Sequence, residues 1–128
     1  MGKTLADTIL SRKSQVDVCA GDIVVASVDL AFVQDTTGPL TVREFEAAGL
    51  ELSANGGKTV LFLDHAAPSP NRQLSTDHIL LRSFARRTGS RLFDVGEGVC
   101  HQIVAESLAK PGDVVVGSDS HTVTAGGL

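Results

Sequence analysis

The 128 residues predict an α/β fold, a largely parallel sheet flanked by helices within one domain spanning residues 1–128. Three observations carry that prediction. Short β-branched runs alternate with stretches whose apolar residues recur at helical spacing. Turns rich in glycine or proline separate each run from the next. The composition, 42% hydrophobic and 20% charged, suits a packed core and excludes a disordered tail.

Taken in order, Thr4 caps a first helix, with Asp7 in the favourable first turn and Leu5, Ile9 and Leu10 at helical spacing. Gly21-Asp22 opens Ile23-Val24-Val25-Ala26-Ser27-Val28, a β-branched run that reads as a strand. Gly38-Pro39 breaks the chain, and Pro39 suits the first position of a helix reaching about Ala48, with Gly49 as its stop. Asn55-Gly56-Gly57 is a turn before a buried strand, Thr59 to Leu63, which ends in Asp64-His65. Pro68 and Pro70 make Ala66 to Arg72 a loop. Ser75 or Thr76 caps the longest helix, with Ile79, Leu80, Phe84 and Ala85 inward and an end near Gly89. Within that helix, His78 beside Asp77 reads as a surface residue near the cap. A short strand from Arg91 to Val95, a helix from about Cys100 to Ala109 and a last strand, Val114 to Val116, complete the order. Strands joined through helices favour a parallel sheet. Because such a sheet is normally covered on both faces, the glycine pair near Leu128 reads as a cut ahead of a missing helix.

Composition also excludes functions. With 5 Phe and no Trp or Tyr, the core is aliphatic and stacking platforms for single-stranded nucleic acid are absent. A formal charge of −4 leaves no basic stripe for a phosphate backbone, so no nucleic-acid partner is expected. No apolar stretch approaches the ~20 residues that span a bilayer, so no membrane is expected either. The N-terminus lacks the apolar core of a signal peptide, and two distant cysteines make neither a disulfide framework nor a CxxC site. The expectation is a cytoplasmic protein.

Chemistry concentrates in three loop clusters: Asp64-His65, Cys100-His101-Gln102 and Asp119-Ser120-His121. Two follow strands directly, at the carboxyl ends where parallel sheets place their binding crevice. An imidazole beside a carboxylate has a fixed tautomer and a proton poised near neutral pH. Any one pair also reads as a turn with a satisfied side chain; convergence on one sheet edge favours chemistry. A metal-dependent hydrolase ligated by His65, His101 and His121 is the rival, but neither HExxH nor another usual zinc spacing is present. Neither GxGxxG nor GxxxxGK[ST] supports a phosphate loop.

These clusters, with Gly2-Lys3-Thr4-Leu5-Ala6, Gln34-Asp35-Thr36-Thr37-Gly38-Pro39-Leu40, Asp94-Val95-Gly96-Glu97-Gly98, Pro111-Gly112 and Val116-Gly117-Ser118, occur in a specific order and spacing. In these motifs the chain resembles the N-terminal part of the large subunits of the isopropylmalate dehydratase and homoaconitase group, in the aconitase superfamily.

The resemblance implies a hydro-lyase that moves a hydroxyl between neighbouring carbons of a hydroxy di- or tricarboxylic acid. It implies a [4Fe–4S] cluster with one open iron acting as Lewis acid, and a partner small subunit or swivelling domain. Carried over by position, Gln34 and Ser120 would contact substrate carboxylates. His65, oriented by Asp64, would help protonate the departing hydroxyl. His101 would pair with Asp119, and His121 would line the same pocket. Family members continue well past Leu128, and neither Cys19 nor Cys100 matches a cluster-ligand position. The implied metal is therefore expected to find no ligands in this chain, which would be inactive alone. The alternative is a stand-alone binding or assembly module that keeps the fold without the catalysis. His65, His101 and His121 are expected on one rim of the sheet, and His78 away from them.

Overall fold

The computed structural model describes residues 2–51 and 56–127. Helix α1 (Leu5–Ser14) begins in a capping box: the Asp7 amide donates to Thr4 Oγ1 at 3.1 Å, and the Thr4 amide donates to the Asp7 carboxylate at 2.9 Å. Strand β1 (Leu30–Gln34), helix α2 (Gly38–Ala47), strand β2 (Thr59–Phe62) and helix α3 (Arg72–Thr88) follow. Strand β3 (Arg91–Phe93) then leads into helix α4 (Cys100–Ile103), which widens into a π turn over Val104–Leu108. The helix expected from Cys100 to Ala109 is thus continuous but not uniform, and the Ala109 amide donates to the Val104 carbonyl at 2.8 Å. Strand β4 (Val115–Gly117) precedes a 3-10 segment, Thr122–Gly127. Gly56–Lys58 forms a single 3-10 turn; Asn55 of the predicted turn lies outside the described residues.

All four strands are parallel, in the order β3-β2-β1-β4. One face carries Val42 of α2 and Leu81, Phe84 and Ala85 of α3 against Leu61 and Leu63. The other carries Cys100 and Val104 against Leu30, Phe32, Val60 and Phe62. The chain steps outward from β1 through α2 and α3 to β3, then crosses the opposite face through α4 to β4. The order therefore reverses between β1 and β4. Such a reversal splays the two connections apart and opens a crevice beyond the carboxyl ends of those strands.

Four expectations fail here. The run Ile23 to Val28 forms no regular element and joins no sheet, and Ile23 and Val25 are exposed. The strand begins at Leu30, where Leu30, Phe32 and Gln34 alternate into the interior. Asp29 sets that start: it accepts from Lys13 Nζ at 2.7 Å and from the Val114 amide at 2.8 Å, tying α1 and the entry to β4 together. High β-propensity without a pairing partner makes no strand.

Helix α3 also starts earlier than Ser75, because Asn71 is the cap and its side chain accepts from the Leu74 amide at 3.0 Å. Its inward face is Asp77, His78, Leu81, Phe84 and Ala85, while Ile79 is 62% exposed. His78 is consequently buried, not a surface residue.

Candidate active site at the carboxyl edge of the sheet

Every strand is followed within two residues by an aspartate: Asp35 after β1, Asp64 after β2, Asp94 after β3 and Asp119 after β4. Parallel strands bring all four to one edge. Of these, Asp64 lies beside the ring of His65, and Asp119 beside those of His101 and His121. Asp64 Oδ1 meets His65 Nδ1 at 2.9 Å, and Asp64 Oδ2 accepts the Cys100 amide at 2.6 Å. One buried carboxylate thus joins the end of β2 to the start of α4. Since an ionised carboxylate accepts and never donates, the proton of a neutral His65 sits on Nδ1, which leaves Nε2 as the acceptor nitrogen.

The three imidazoles form a row. Ring centroids are 5.7 Å apart from His65 to His101 and 5.8 Å from His101 to His121. His101, in the middle, also lies edge-on to Phe32 of the core. Its Nε2 is 3.1 Å from Asp119 Oδ1, yet the two are not aligned for a hydrogen bond, and this buried nitrogen has no other partner among the described residues. Asp119 itself accepts the His121 amide at 2.7 Å and Gln34 Nε2 at 3.1 Å. Gln34 ends β1 and Asp119 follows β4 by two residues, so their contact joins the exits of the two strands that flank the reversal in strand order.

The electrostatics follow from these contacts. Burial opposes protonation of His65, but the bond to Asp64 and the charges of Asp64, Asp119 and Asp35 outweigh it and raise its pKa. Burial likewise opposes ionisation of Asp119, but the His121 amide, Gln34 and the neighbouring imidazoles win, and its pKa falls. The Cys100 thiol moves up to about 12, first through burial and then through Asp64 and Asp119. It is a neutral thiol at physiological pH.

The structure places the expected residues unevenly. Asp64, His65, His101, Asp119 and His121 converge, as the strand ends require. Ser120 is exposed and its hydroxyl reaches His121 Nδ1 at 3.2 Å. Gln34, expected at a substrate carboxylate, is 1% exposed, and its amide is engaged by Asp119 and by Thr36, whose amide and hydroxyl donate to it. In this chain it acts on the rim through Asp119.

Two residues escaped the sequence reading. Asp35 accepts the His65 and Ala66 amides, each at 2.9 Å, and His78 Nε2 lies 3.0 Å from the same carboxylate. His78, expected away from the other histidines, is one carboxylate removed from the His65 backbone. The signal was available: stepping back three and four residues from Leu81 lands on His78 and Asp77.

Residues 7–128 match the model of the aconitase family (aconitate hydratase), a span that includes every residue from Gln34 to His121 just described. The chain belongs to the aconitase family. It is 52% identical to the 3-isopropylmalate dehydratase large subunit of Elusimicrobium minutum and 51% identical to large subunit 1 of Thermotoga maritima. It is 50% identical to 3-isopropylmalate dehydratase large subunit 2 of Archaeoglobus fulgidus. All of this chain is covered in each comparison, but it spans only 31%, 30% and 30% of those relatives.

Aconitase-family resemblance implies a [4Fe–4S] cluster, and the donors here do not fit one. The sequence holds two cysteines, Cys19 is exposed on a loop, and Cys100 is buried and protonated. A cluster takes thiolates, so no step can be routed through it with these residues. What this aconitase-family segment does supply is a row of imidazoles backed by two carboxylates. Among the described residues, no helix is long and apolar enough to cross a membrane.

Proposed function

We propose that this chain forms the acid–base rim of a hydro-lyase of the 3-isopropylmalate dehydratase type, acting on a hydroxy di- or tricarboxylic acid. The observation that carries the reading is the row His65–His101–His121, with spacings of 5.7 and 5.8 Å, backed by Asp64 and Asp119 where the strand order reverses. Dehydration must protonate a departing hydroxyl while a base from outside this row takes the proton of the neighbouring carbon, and rehydration reverses both transfers. His65 suits this role, because Asp64 holds Nδ1 and leaves Nε2 to exchange the proton with the substrate oxygen. His101 occupies the centre of the row, its ring between those of His65 and His121 and its buried Nε2 beside Asp119. Asp119 holds His101 and His121 on one side, and Ser120 presents a hydroxyl toward a substrate carboxylate.

The names of the relatives support a large subunit working with a small-subunit partner, and their length supports thiolates for a cluster that come from outside these 128 residues. The chain alone is then inactive. The test is turnover by the complete large subunit assembled with its partner. Interconversion of isopropylmalate isomers, or of homoaconitate or citrate with their isomers, is expected, with none from residues 1–128 alone. Absence of turnover on all three substrates in the assembled protein overturns the reading.

A further inference from the structure

We infer that the buried pair Asp35–His78 is a positioning device for His65, a role that rests on the acid–base reading of His65 given above. Asp35 is fully buried at the end of β1, and His78 is 3% exposed on α3. Neither ring nor carboxylate is part of the histidine row.

The geometry is specific. The carboxylate takes two consecutive amides of the neighbouring strand's exit, His65 at Oδ1 and Ala66 at Oδ2, and His78 Nε2 approaches Oδ2. Holding consecutive amides fixes the path of the backbone at His65, and therefore the direction of its Cα–Cβ bond. Asp64 then fixes the ring through Nδ1. Two carboxylates thus divide the work: one sets the backbone, the other the imidazole.

The third donor matters because a buried carboxylate lacking partners is strongly disfavoured. His78 supplies an N–H from a helix that is itself immobilised by Leu81, Phe84 and Ala85 in the core. Packing of α3 is thereby transmitted to the rim through one ring and one carboxylate. On the same helix, the preceding residue, Asp77, pairs outward with Arg43 of α2, so His78 faces Asp35 without that competing charge. The charged groups acting on His65 are Asp64, Asp119 and Asp35, with His101 beside it; those acting on His78 include Asp35 and, at longer range, Asp94.

The experiment uses the complete subunit assembled with its partner, carrying His78→Phe or His78→Gln. Phenylalanine fills the site but donates nothing, while glutamine can still donate an N–H to Asp35. H78F is expected to lower kcat by about 10- to 100-fold while KM changes by less than about threefold. The His65 imidazole, followed by NMR with labelled histidine, should titrate closer to an ordinary imidazole in H78F. H78Q should restore both readouts most of the way. If H78F and H78Q lower Tm alike and leave kcat and the His65 titration unchanged, the pair is merely structural and the inference is overturned. If H78F does not fold, H78L replaces it, with the same change in titration expected and an unchanged titration overturning the inference. Should H65Q itself leave kcat intact, the acid–base reading fails; the His65 titration still decides the positioning claim.

Discussion

His101 Nε2 lies 3.1 Å from Asp119 Oδ1 without hydrogen-bond alignment, although this nitrogen is buried. An unmet buried polar atom costs about 1–3 kcal/mol, so such an arrangement must be held by its surroundings. Here Phe32 packs against the ring and Gln34 and the His121 amide hold the carboxylate. Hydrogen-bonding capacity is left at the middle of the histidine row, on the side of the ring that faces Asp119.

His65 should titrate above the ordinary imidazole value, because its bond to Asp64 favours the protonated ring despite burial. The sign follows directly. A pKa raised by folding stabilises the folded chain below the unfolded value of 6.5, and that contribution is lost as pH rises through the folded value. NMR titration of D64N is expected to return His65 toward 6.5 or below. An unchanged titration would show that Asp64 does not govern the ring.

Outside the histidine row, Arg82 grips Asp94 with two nitrogens, Nε at 2.8 Å and Nη2 at 2.5 Å, and holds its pKa at about 2. Its stabilisation is full above the ordinary carboxylate value of 3.8 and is lost as pH falls through about 2. Both side chains are a third or more exposed, so solvent screening limits the effect to about 1 kcal/mol. D94N should be destabilised by that amount in urea melts at pH 7, and the difference from the parent should shrink steadily in acid.

Gly117 ends β4 where no side chain fits. A Cβ there would lie 2.4 Å from Thr122 Oγ1, 2.8 Å from Thr122 Cγ2 and 3.0 Å from Phe32 Cε1. Thr122 Oγ1 in turn donates to the Asp119 carbonyl at 2.8 Å. G117A should therefore cost about 1–3 kcal/mol and displace the Asp119 loop. Denaturation and the His121 amide chemical shift would reveal both effects.

The residues of the rim were legible because strand ends and the parallel rule determine where they emerge. Asp64-His65 and Asp119-Ser120-His121 needed nothing beyond two strands pointing the same way. Ile23 to Val28 misled because β-branching signals extended backbone, and Asp29 and the pairing of β4 decide where the ladder begins. His78 was missed for a different reason: polar residues on the inward face look like solvent-facing ones until the helix phase is taken from Leu81, Phe84 and Ala85. Its partner, Asp35, is 43 residues away in sequence. No local pattern joins them.

Iron–sulfur chemistry gives a prediction of the opposite kind. Anaerobic reconstitution of residues 1–128 should yield no stoichiometric [4Fe–4S] cluster, because one exposed cysteine and one buried protonated thiol cannot provide three thiolates. Visible absorption and iron counting check it. A stoichiometric cluster would mean that the donors lie in this chain after all.

Replacing His101 by Asn in the complete, assembled enzyme separates chemistry from folding most directly. The ring occupies the middle of the row yet sits at the edge of the core, so its loss should lower kcat by about 10²–10⁴-fold while thermal unfolding shifts by no more than about 1 kcal/mol. A near-normal kcat, or a loss of stability as severe as the loss of turnover, would contradict an acid–base rim at this edge of the sheet.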